Sequence, residues 1–124
     1  MTTIILLVLA LYMMQIFLQE TSRFGFDIRG IVGSRDNQPD LSILAGRLDR
    51  AKDNMLEILP IFLSLAILAL IKGGDISEET HAASVFLISR LVYVPAYASG
   101  VPMVRSLVWL VGVASLVTMA VPLI

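Results

Sequence analysis

The chain has no cysteine and only one histidine, His81. Without a thiol it can form no disulfide, no thiolate metal site and no cysteine nucleophile. Any thiol chemistry must therefore use a thiol carried by a ligand, and no metal site is expected. His81 falls near the start of an apolar segment, on the far side from the polar cluster described below. It reads as a surface residue rather than a catalytic base. Polar residues are scarce: 57% of the residues are hydrophobic and only 15% are charged. That is too little polar material to cover a soluble domain of 124 residues. The net charge of -1 says nothing about nucleic acid, and no basic stripe points to it, so no nucleic-acid partner is expected. There is no internal repeat and no low-complexity tract.

The apolar residues come in four blocks: Thr3 to Leu18, Met55 to Ile71, Ala82 to Ala98 and Val101 to Ile124. Each approaches the roughly 20 residues needed to cross the hydrocarbon once a flanking turn is added. The expected fold class is an all-α integral membrane protein, a four-helix transmembrane bundle forming a single domain over residues 1–124, with no room for a separate soluble domain. The first block lacks a basic start and a small-residue cleavage site, and more spans follow it. It is expected to stay as a helix rather than act as a signal peptide. Helix one is read over Thr2 to Thr21. Helix two starts between Ser42 and Gly46 and runs to Ile71. Lys72-Gly73-Gly74-Asp75 makes a tight connection. Ser77 reads as the N-cap of helix three, with Glu78 and Glu79 in its first turn. Ser99-Gly100-Val101-Pro102 is the last turn. The only long polar segment, Ser22 to Gly46, holds several turn residues, and 33–40 reads as a solvated loop.

Six of the nine Lys and Arg residues lie between helices one and two or at the start of helix two: Arg23, Arg29, Arg35, Arg47, Arg50 and Lys52. The connection between helices two and three has only Lys72, against Asp75, Glu78 and Glu79. Positive charge prefers the cytoplasmic side. The first connection and, by alternation, the third beside Arg105 are expected there, with both termini opposite.

Polar groups are nevertheless carried into the membrane. Arg47, Arg50, Asn54 and Glu57 are spaced to share one face of helix two, and Arg90, Tyr93 and Tyr97 repeat that pattern on helix three. Glu57 lies seven residues beyond Arg50, and Arg90 seven residues before Tyr97. Each is about 10 Å deeper than its neighbour at 1.5 Å per residue. In antiparallel helices Glu57 and Arg90 meet at similar depth, so an ion pair between them is expected. A clasp between helices would account for Asn54, Glu57 and Arg90. It accounts less well for Arg47, Arg50, Tyr93, Tyr97 and Arg105 at the same end. That many donors point to an anionic ligand with several carboxylates, or to a lipid headgroup.

The run Arg50-Ala51-x-x-Asn54-x-x-Glu57-x-x-Pro60-x-Phe62, then Arg90-x-x-Tyr93-x-x-x-Tyr97, then Arg105-Ser106, resembles the MAPEG family, the membrane-associated proteins in eicosanoid and glutathione metabolism. The short chain and the loop near Gly33 look most like its bacterial branch. The resemblance implies a homotrimer in the bacterial inner membrane, with glutathione held between subunits near the cytoplasmic face. It assigns glutathione binding to Arg50, Asn54, Glu57, Arg90, Tyr93 and Tyr97, and stabilisation of the glutathione thiolate to Arg105. Arg47 joins the binding set on spacing. The counterpart of a helix-one arginine is Arg23 or Arg29. Asp53 stands where some members have a basic residue, and Trp109 where some synthases have tyrosine. The implied function is a glutathione transferase or peroxidase acting on lipophilic electrophiles. The alternative is a non-catalytic membrane protein of the same fold that binds a lipid or thiol ligand.

Overall fold

The computed structural model describes residues 1–25, 27–33 and 40–124. The apolar blocks become helices because backbone groups at membrane depth must pair within their own segment. Helix α1 spans Thr2–Arg23, α2 Ile28–Val32, α3 Ile43–Lys72, α4 Ser77–Ser99 and α5 Pro102–Ala120, followed by a 3₁₀ turn over Val121–Leu123. The described residues contain no strand. Four segments are long and apolar enough to cross a membrane: α1, α3, α4, and α5 continued to Leu123. The expected all-α, four-span membrane architecture is the one found.

Two local details differ from the sequence reading. The first connection holds the short helix α2, begun by the Asp27 side chain accepting from the Arg29 amide at 3.0 Å. Ser77 is the first residue of α4 rather than its cap; its amide donates to the Asp75 carboxylate at 3.0 Å. The Ser77 hydroxyl and amide together hold the Asp75 carboxyl below the usual carboxylate range. The loop read over 33–40, with Arg35, lies outside the described residues at 34–39.

Helix α3 has 30 residues. It is about 45 Å long at 1.5 Å per residue, against roughly 30 Å of hydrocarbon. With Lys72 at one membrane face, its first turns stand beyond the other, and these turns carry Arg47, Arg50 and Lys52. The Ser42 hydroxyl caps them by accepting from the Ala45 amide at 3.1 Å. At the other end Lys72 Nζ donates to the Pro122 carbonyl, which ties the C-terminal turn to α3. Pro60 and Pro95 lie within α3 and α4 without ending either helix.

The core lies where α1, α3, α4 and α5 meet. Phe62 and Phe86, both fully buried, stack at 4.6 Å with their planes 9° apart. Val8, Met55, Ala66, Ala83, Leu116 and Met119 surround them. Small residues let α4 and α5 approach closely: a Cβ on Gly112 would lie 3.0 Å from Ser89 Oγ. Hydroxyls in the spans are satisfied by their own helix, as in Ser64 to the Pro60 carbonyl at 2.7 Å and Ser115 to Gly112 at 2.6 Å. The outer faces present Leu6, Phe17, Ile67, Ile88, Leu110 and Val117, a surface suited to lipid.

Candidate functional site

The overhanging end of α3 faces the turn between α4 and α5. That turn is possible because Gly100 takes φ 75°, a left-handed conformation that ends α4. Arg47 reaches across from α3 and its Nη1 donates to the Ala98 carbonyl at 3.1 Å. Its guanidinium lies flat on Gly100, so closely that a Cβ there would fall 2.6 Å from the guanidinium carbon. Arg47 therefore supplies the basic partner that the last carbonyls of α4 otherwise lack.

One turn along α3, Arg50 Nε donates to the Tyr97 hydroxyl at 3.2 Å. Arg105, in the first turn of α5, places its guanidinium 5.0 Å from the centre of the Tyr97 ring, and Arg50 lies 5.8 Å from it. These groups line a cavity of about 230 Å³ with Arg47, Ala96, Gly100 and Val101. Three guanidinium groups and a phenol converge there, and none of the described residues in its wall carries a carboxylate. Such a donor set suits carboxylates of a ligand.

A second, larger groove begins one turn deeper on both flanks. Asn54 follows Arg50 by four residues on α3, and Trp109 follows Arg105 by four on α5. The groove holds about 480 Å³ and continues along Ile58, Ile61, Leu65, Val113, Leu116, Val117 and Ala120. Among the described residues that line it, the polar side chains besides the Trp109 ring nitrogen are Asn54 and Glu57. A charged, polar chamber at the membrane surface thus stands over an apolar channel at membrane depth.

The eight residues singled out in the sequence divide into three groups. Arg47, Arg50, Tyr97 and Arg105 share the polar cavity, and Asn54 and Glu57 lie on the apolar groove. Arg90 and Tyr93 line neither. They are 1% and 4% exposed and lie behind the site, with the Arg90 guanidinium 4.3 Å from the Tyr93 ring centre. The Tyr93 and Tyr97 rings meet edge to face at 5.6 Å.

The expected ion pair between Glu57 and Arg90 is not formed. Arg90 Nη1 donates instead to Asn54 Oδ1 at 2.8 Å, and the Glu57 side chain is exposed. Nearby on α3, Lys52 pairs with Asp49 at 3.0 Å and with Asp53 at 3.5 Å. Depth alone predicted the Glu57 pair. Three residues separate Asn54 from Glu57 on α3, which turns Glu57 about 60° away from the Arg90 side. Trp109, noted in the sequence only as standing where some synthases have tyrosine, lines the groove. Its place one turn after Arg105 was the available signal. His81 lies with Glu78, Ser115 and Thr118 around a separate groove towards the opposite end of α4. Among the described residues no group of histidine and acidic side chains is arranged to hold a metal ion.

No curated protein and no solved structure matches the chain. The sequence model of the MAPEG family matches residues 1–124. With four membrane-spanning helices and a match over its whole length, the chain is an integral membrane protein and belongs to the MAPEG family.

Proposed function

We propose that this protein binds glutathione in the arginine-lined cavity and uses it as a transferase or peroxidase against lipophilic electrophiles. The observation that carries this reading is the step from one chamber to the other. Three guanidinium groups around Tyr97 give way, within one turn of α3 and of α5, to an apolar groove open at membrane depth. A water-soluble thiol tripeptide with two carboxylates suits the first chamber, and a lipophilic second substrate or lipid suits the second.

The roles follow from the charges. Arg47 and Arg50 take ligand carboxylates, and Tyr97 offers its hydroxyl and ring. Glu57 is the acceptor for an ammonium group. Arg105, one turn before the groove residue Trp109, stabilises the thiolate, because a neighbouring guanidinium favours the charged form of sulfur. In conjugation the thiolate forms a carbon–sulfur bond with the electrophile while the bond to a leaving group breaks, or an activated double bond or epoxide C–O bond opens; the departing electron pair ends on that group or atom, and the thiol proton passes to solvent or to it. Self-association is supported by Glu57, an ionisable side chain exposed at membrane depth in the single chain, which a neighbouring copy would cover; the homotrimer is the form that the family implies. The concentration of arginine at this end supports a cytoplasmic orientation, in the inner membrane of a bacterium.

Calorimetric titration of the detergent-solubilised protein with reduced glutathione tests the reading, alongside Glu57→Gln. Saturable binding that weakens in the variant is expected, followed by conjugation of a lipophilic electrophile. Binding without turnover would support the non-catalytic reading. No binding to folded protein would leave a polar clasp or a lipid site.

A further inference from the structure

We propose that Arg90 is a positioning residue that never touches the ligand and acts by fixing the carboxamide of Asn54 as a hydrogen-bond donor towards the groove. This rests on the glutathione reading above and assigns Arg90 a role different from that of a ligand contact.

Three observations carry it. Arg90 is 1% exposed and borders neither the polar cavity nor the groove. Its Nη1 donates to Asn54 Oδ1 at 2.8 Å, while Nε and Nη2 are buried with no acceptor among the described residues. Helix α5 closes over it, since a Cβ on Gly112 would lie 3.4 Å from Nη2 and 3.6 Å from Nε. The charge is instead accommodated by ring faces, with Tyr93 at 4.3 Å and Phe86 at 5.8 Å from the guanidinium carbon.

A guanidinium can only donate, so the Asn54 group that meets it must be the carbonyl oxygen. An asparagine elsewhere can turn its amide over; this one cannot without setting its NH₂ against the donors of a buried cation. The NH₂ arm is left for the groove that Asn54 lines. One turn on, the Glu57 carboxylate is an acceptor. The pair therefore offers a fixed donor beside a fixed acceptor. It is complementary to a ligand group with an acceptor beside a donor, such as a peptide unit or the α-amino-acid end of a glutamyl residue.

The test is titration of the purified protein with reduced glutathione, with thermal stability measured on each sample. Asn54→Asp retains an oxygen for Arg90 and strengthens that contact, yet presents only an acceptor to the ligand. Expected is at least a tenfold loss of glutathione affinity with an unfolding midpoint no lower than that of the wild type. A merely structural role would leave affinity unchanged. Arg90→Gln frees the Asn54 amide and should weaken binding too, and combining it with Asn54→Asp should cost less than the two losses multiplied together. Arg90→Lys, which keeps a donor, should recover part of the affinity. Wild-type binding retained by Asn54→Asp overturns the donor role and leaves the glutathione reading standing. No saturable binding to folded wild type overturns both.

Discussion

Substituting Gly100 with alanine tests whether the turn between α4 and α5 is held by Arg47. At φ 75° an L-residue costs about 1–2 kcal/mol relative to glycine. The new methyl would also fall 2.6 Å from the Arg47 guanidinium carbon and 2.6 Å from Nη2. Moving the far end of a long side chain is itself inexpensive. What is lost is the bond to the Ala98 carbonyl at 3.1 Å. For a half-buried charged donor that is about 1 kcal/mol. Gly100→Ala should therefore destabilise the protein by about 2–3 kcal/mol. In an Arg47→Ala background the clash and the bond are both absent, and only the backbone strain of about 1–2 kcal/mol remains. The two substitutions should accordingly couple by about 1 kcal/mol in a double-mutant cycle. The assay is reversible denaturation in mixed micelles for the wild type, both single variants and the double variant. Additive losses would refute the reasoning, because they would mean that Arg47 does not hold the turn.

Arg105→Ala should lower conjugation about 10²–10³-fold, the scale of removing one electrostatic stabiliser, while glutathione affinity by calorimetry changes only a few-fold. Retained turnover would remove Arg105 from the thiolate role. Phe62→Ala deletes a fully buried ring stacked on Phe86 and should cost about 3 kcal/mol in the same micellar unfolding assay. Gly112→Leu should cost more than Gly112→Ala, since the alanine methyl already lies 3.0 Å from Ser89 Oγ; equal stabilities would show that α5 can shift freely. Asp75 has its carboxyl lowered by Ser77, so its stabilising contribution is present above the unfolded carboxylate pKa of about 3.9 and lost as pH falls through the lower folded value. Asp75→Asn should therefore lower the unfolding midpoint at neutral pH and make no difference once the pH is below both values.

The spans were legible because the bilayer reads length and hydropathy, and both are one-dimensional. Gly100 and Gly73 likewise mark helix ends through backbone conformation alone. Placement around a helix axis was much less legible. The stripe Arg47, Arg50, Asn54, Glu57 spreads over about 80° of α3; Arg47 and Arg50 reach the end of α4, Asn54 reaches Arg90, and Glu57, at one margin of the stripe, is left exposed. Equal depth of Glu57 and Arg90 could be computed from residue counts, but their mutual azimuth could not. The use of Arg47 on the Ala98 carbonyl depends on where the end of α4 falls against α3, which local sequence does not encode. Nor does spacing distinguish an arginine that faces a cavity from one sealed behind Tyr93 and Gly112.

The stacking of a polar chamber on an apolar channel has a kinetic corollary. A reactant entering the upper chamber is supplied at its bulk molarity, whereas one entering the lower channel is supplied at its mole fraction in the surrounding lipid. For an enzyme with this layout, diluting the lipophilic reactant with inert detergent or phospholipid at fixed total concentration would slow turnover, while diluting the whole sample with buffer would not change how crowded that reactant is in the membrane. The protein would then read surface density on one side and solution concentration on the other. A hydrophobic compound too dilute to react in water would become a good substrate by partitioning alone.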